Sequence, residues 1–162
     1  MAGAESGAVK SVLFICLENI CLSPIAEAVF LDLLKKKGEL EQWRVDSAAL
    51  GDYYTGDSLD ERVVETLKKK GIENYSHVVR QITDEDFRDF EIIIALQEKD
   101  VDHLMDIEPK GSTAGISMLG DFDTVGGPTI NDPYYNADIK EFEDLIEKVM
   151  RCCEEYLKCE KL

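Results

Sequence analysis

The sequence predicts an α/β protein, a doubly wound and mostly parallel sheet of about four to five strands with helices on both faces, forming a three-layer sandwich. Two observations carry this. Short apolar, β-branched runs alternate along the chain with amphipathic segments of helical period, the pattern of strands joined by crossover helices. The 162 residues are 44% apolar and 32% charged, enough for one ordinary globular core, so a single domain over residues 1–162 is expected.

The elements follow in order. "SVLFIC" (11–16) is a buried strand bounded by polar residues. Ser23-Pro24 reads as an N-cap followed by proline at the first helical position, opening a helix that runs to Lys37 and stops at Gly38. "WRVDSAA" (43–49) alternates as a strand. "SLDERVVETLKKKG" (58–71) is a helix with Leu59, Val63, Val64 and Leu67 on one side. "SHVVRQ" (76–81) reads as a strand, 83–90 as a short helix, and "EIIIAL" (91–96) as a buried strand. A helix to about Met105, a strand near 115–120 and a long helix carrying Phe142, Leu145, Ile146, Val149, Cys153, Tyr156 and Leu157 complete the chain. The one long irregular stretch, 121–138, is rich in Gly, Pro, Asn and Asp, and loops of that length are usually functional or mobile.

The net charge of −16 opposes nucleic acid and anionic membranes, which demand a basic footprint, so neither is expected as a partner. No apolar run approaches the roughly 20 residues that cross a bilayer. "MAGAESGAVK" lacks the regions of a secretory signal, and a cytoplasmic location is expected. The five cysteines, Cys16, Cys21, Cys152, Cys153 and Cys159, form no paired CxxC motif, so no metal and no disulfide framework is expected.

In doubly wound sheets ligands bind beyond the carboxyl ends of strands. Strand 11–16 delivers Cys16 to that edge, and the turn Leu17, Glu18, Asn19, Ile20, Cys21, Leu22 leads to Ser23 at a helix start. Backbone N–H groups of such a turn make an anion cradle and would lower the cysteine pKa. A cysteine at a strand end is more often plain core, and that alternative stands on these residues alone.

"VLFICLENICLSPIAEAVF" resembles the signature of the low molecular weight protein tyrosine phosphatases, which reads Cys, five residues, Arg, Ser, Pro. The likeness continues in "WRVDSAA", "SHVVRQITDEDF", "MLGDF", "NDPYY" and "VMRCCEEYL". It implies metal-free, cofactor-free phosphoryl transfer through a cysteinyl phosphate. Cys16 takes the nucleophile position and Asp132 that of the general acid. Asn19, Ser23, Ser47 and His77 take positions that brace the loop, and Tyr53, Tyr134 and Tyr135 those of aromatic substrate walls.

Three residues depart from that pattern. Leu22 replaces the phosphate-gripping arginine, Glu18 a loop glycine, and Leu96-Gln97 a Met-Asp pair. Leucine donates no hydrogen bond, and a carboxylate at 18 is expected to raise the thiol pKa and repel phosphate. The leading expectation is a homologue with absent or very low turnover, a pseudophosphatase. Two alternatives are an active protein tyrosine or acid phosphatase working through Cys16 and Asp132, and a thiol redox-responsive protein using Cys16 and Cys21. Expected partners are a phosphotyrosine protein or another protein at the phosphatase-like face, with the chain a monomer or weak homodimer.

Overall fold

The computed structural model describes residues 9–133 and 137–160. Four strands, β1 (Lys10–Cys16), β2 (Trp43–Ala49), β3 (Ile92–Ala95) and β4 (Gly115–Met118), pair in the order β2-β1-β3-β4. All three pairings are parallel. The helices are α1 (Leu22–Lys36), α2 (Glu61–Lys69), α3 (Asp86–Asp89), α4 (Glu98–Ile107) and α5 (Ile139–Glu160). None of the described helices is long and apolar enough to cross a membrane.

The alternation of β1 builds the three layers. Val12, Phe14 and Cys16 enter a core with α1, α2 and α5, which carry Ile25, Val29, Val63, Leu67, Phe142 and Val149. Leu13 and Ile15 enter a second core on the other face with Ile93 of β3, Phe87 and Phe90 at α3 and Leu104 of α4. Residues on alternate sides of a pleat must bury against different layers, which is why both faces of this strand are apolar. An edge-to-face chain, Phe14–Phe30 at 5.6 Å and Phe30–Trp43 at 5.1 Å, fills the larger core. Cys152 and Cys153 are fully buried there, as core residues of α5.

The expected strand at 76–81 does not form. Only Gln81 makes a bridge, to Ala49, while Val79 exchanges backbone hydrogen bonds with Gly56 and Asp57 and Val78 is 65% exposed. The apolar residues of this segment therefore serve a loop packed across the end of β2, and the sheet stops at four strands. Ser23 is not the helix cap either. Helix α1 starts two residues earlier than expected, with Cys21 at the cap position and no side-chain cap bond. Ser23 is thereby turned toward Cys16, and Pro24 stays within the first turn, where its missing N–H costs nothing. In α2 the cap is Asp60, whose carboxylate accepts from the Arg62 N–H at 2.9 Å.

The long 121–133 stretch is anchored. Asp123 is gripped by Lys148 and Arg151 of α5, and Lys148 also donates to the Gly127 carbonyl at 2.7 Å. At its start, Gly120 lies so close beneath the Pro128 carbonyl that any side chain there would collide with it. The Ile130 side chain is buried.

Candidate active site

β1 lies between β2 and β3, so the turn after Cys16 sits where the sheet order reverses, the place that doubly wound sheets leave open for ligands. The carbonyls of Cys16 and Leu17 accept from Leu50 and Gly51, and Ile15 accepts from Leu96, which pins both sides of the strand end. The turn then folds back over the sulfur. Ser23 Oγ lies 3.0 Å from Cys16 Sγ, and the backbone N–H groups of Asn19 and Ser23 point to it at 3.3 and 3.4 Å.

Asn19 organises the cradle. It is fully buried, with φ 62°, a left-handed conformation that asparagine tolerates better than other side chains. Its amide donates to Ser23 Oγ at 2.8 Å and Ser47 Oγ at 3.0 Å. Its Oδ1 accepts from the Arg80 N–H at 3.3 Å and lies 2.7 Å from His77 Nε2. Because Ser23 Oγ already accepts from Asn19, its own proton is free to point at the sulfur.

The sequence reading found Asn19, Ser23, Ser47 and His77, and the structure brings all four together. It missed Glu27, Tyr75, Asp46, Arg80 and Asp86. Glu27 Oε1 accepts from Ser47 at 2.7 Å and Tyr75 at 2.8 Å. Arg80 is clamped by Asp46 at 2.9 Å and by both oxygens of Asp86. The available signal was Glu27 itself, an acid among the apolar residues of "SPIAEAVF". Glu27, Asp46 and His77 stand close enough together to enclose a cation. Their oxygens already accept from Ser47, Tyr75 and Arg80, so the cluster is satisfied as a hydrogen-bonded brace.

Burial pushes two members of this brace toward neutrality, the Glu27 carboxyl up to about 7 and the His77 imidazole down. The sign for stability follows. A glutamate free in the unfolded chain titrates near about 4.3, so Glu27 is protonated in both states at low pH and ionised in both above its folded value. The folded state therefore loses stability as pH rises from about 4.5 to 7, by on the order of 2–3 kcal/mol from this group. Glu27→Gln keeps an acceptor for Ser47 and Tyr75 and should remove that slope. Denaturant unfolding of both proteins across this window checks it, and a pH-independent difference between them would overturn the assignment.

The thiol itself departs from the sequence expectation. Burial raises the Cys16 pKa, and the bonds from Ser23 and Asn19 only partly offset it. The carboxylate that adds to this rise is Asp100, whereas Glu18 acts on Asp132, whose pKa is raised first by desolvation and then by Glu18. Burial, and then the charge of Asp132, raise Cys21 well above the usual thiol value. Both cysteines are free thiols.

Leu22 is 2% exposed and belongs to the larger core. Of the arginines, Arg80 is held by its two aspartates, Arg151 is paired with Asp123, Arg44 lies over Phe90, and Arg62, paired with Asp60, is near enough to Cys21 to favour its charged form. Gln97 donates to the Ile130 carbonyl at 3.0 Å and so ties down the segment leading to Asp132. Tyr53 is 62% exposed on the loop after β2, with its ring against Gly51. Tyr134 and Tyr135 lie outside the described residues.

Residues 11–162 match the family model described as "Low molecular weight phosphotyrosine protein phosphatase". The chain belongs to the low molecular weight phosphotyrosine protein phosphatase family. It is 44% identical over 156 residues to the Homo sapiens enzyme of that name, covering 93% of this chain and 96% of that one. With the Gallus gallus enzyme it shares 41% identity over 158 residues, covering 94% and 97%. Among solved structures it is similar to the protein tyrosine phosphatase of Entamoeba histolytica with Hepes in its active site. There the TM-score is 0.86 at 30% identity, covering 94% of this chain and 99% of the other. The four-stranded parallel sheet is the fold this chain shares with that structure, and the family match begins at Ser11, in β1.

Proposed function

We propose that this chain is a pseudophosphatase of the family: it keeps the nucleophile cradle while aryl phosphate turnover is absent or very low. One observation carries the reading. The residue at the phosphate-gripping position is Leu22, packed into the core, where it offers no donor.

In the family reaction the thiolate attacks phosphorus, an acid protonates the leaving phenolate, and water then hydrolyses the cysteinyl phosphate. Cys16 and Asp132 hold the positions for the first two roles. Phosphoryl transfer depends on positioning and on positive charge matched to the equatorial oxygens. Here the thiol is pushed toward its protonated form, and the carboxyls acting on the site are Asp100, Asp132 and Glu18. Losing a transition-state arginine alone removes roughly 10³–10⁵ in rate. The phosphatase-like face then serves to dock a protein partner rather than to process one.

The purified protein, assayed with para-nitrophenyl phosphate beside an ordinary family member, should turn over at least about 10³ more slowly. A rate within about tenfold of that member would end the proposal and leave an active phosphatase using Cys16 and Asp132.

A further inference from the structure

Asp100 stands apart from the brace and from the nucleophile cradle. It sits in the first turn of α4, its N–H donating to the Gln97 carbonyl at 3.0 Å. The Leu96 N–H bond to Ile15 sets that turn beside the end of β1 and the loop. The residue is 2% exposed, and its Oδ2 has no hydrogen-bond partner, the one such buried side-chain atom among the described residues. A buried carboxyl oxygen without a protein partner needs either a guest or a proton.

We propose that Asp100 is a proton-dependent oxyanion donor for the loop: with its proton on, it offers a bound oxyanion a hydrogen bond, and with its proton off, it excludes dianions. This deepens the pseudophosphatase reading and rests on it in one respect, that no guanidinium at position 22 supplies the donors. The ligand class is a tetrahedral oxyanion.

The groups that act on Asp100 are Lys99 and His103 of its own helix, which favour its charged form, and Asp132 of the 121–133 segment, which disfavours it. Asp100 in turn acts on the Cys16 thiol at the end of β1. Burial outweighs the two bases and lifts the carboxyl to about 6. The donor form therefore dominates at about pH 5, and the excluding form at about pH 7.5.

Sulfate is the probe, because it remains a dianion across this range and the protein alone changes charge. Binding is read from the amide shifts of residues 17–23 in wild type and in Asp100→Asn, a near-isosteric change whose amide donates at every pH. Wild type should bind about tenfold or more tightly at about pH 5 than at about pH 7.5. Asp100→Asn should differ by less than about threefold between the two and bind more tightly than wild type at the higher pH. Asp132→Asn, which removes the acid that raises Asp100, should move the response to lower pH without abolishing it. An equal pH response in wild type and Asp100→Asn overturns the proposal, as does a wild type that fails to bind sulfate at about pH 5. Thermal melts confirm that each variant is folded. Failure of the pseudophosphatase reading shows separately, as brisk para-nitrophenyl phosphate turnover by the same wild-type preparation.

Discussion

Leu22→Arg should raise kcat/KM for an aryl phosphate by about 10² or more over wild type. A bidentate guanidinium follows the phosphoryl oxygens into the transition state, and donors of that kind are worth roughly 10²–10⁵ in rate. The gain should fall short of the full figure because Asp100 still raises the thiol and Glu18 still acts on Asp132. Adding Glu18→Gly to Leu22→Arg should recover more. Leu22 is buried, so the arginine must turn from the core into the loop, and some stability is lost with the vacated contacts. Leu22→Met, which conserves volume and adds no donor, should stay at the wild-type rate. Cys16→Ser in the arginine background should abolish whatever was gained. A folded Leu22→Arg protein with wild-type turnover would show that the missing fork is not what silences the loop.

Asn19→Ala should destabilise the fold by about 3 kcal/mol and lower Tm by about 6–12 °C. Two effects add. Alanine in a left-handed conformation costs roughly 1–2 kcal/mol, and residue 19 has φ 62°. Removing the side chain also strips partners from Ser23, Ser47, His77 and the Arg80 N–H, all around a residue with no solvent access. Asn19→Gly separates the two, since it accepts the backbone but loses the same bonds, and should fall between alanine and wild type. Thermal and denaturant unfolding measure all three. An alanine variant within about 0.5 kcal/mol of wild type would mean that the cradle is held by the strand ends and not by Asn19.

Much of the site was legible through the likeness to the family signature, whose residues Cys16, Asn19 and Ser23 lie within eight consecutive positions; on the residues alone Cys16 read also as plain core and Ser23 as a helix cap. Asp100 was not legible, and Glu27 only as an acid in an apolar run, for a reason common to both. Each is an acid within a helix, where the expected place for a charge is the solvated face. Only packing shows that α1 turns Glu27 toward Ser47 and Tyr75, and that α4 buries Asp100. The segment 76–81 failed for the opposite reason. Its apolar residues have strand character, but β2 pairs with β1 along its length and the segment meets it only at Ala49.

The amino-acid order alone determined the layered α/β fold, since periodicity is a property of the chain itself, and its likeness to the family signature singled out Cys16 and the leucine at the position of the signature's arginine. Tertiary structure decided the charges. A pKa depends on what surrounds a group in space, and here the sulfur is raised by burial and by a carboxylate 84 positions further along the chain. No spacing rule brings those two groups together; the pairing of β1 with β3 does.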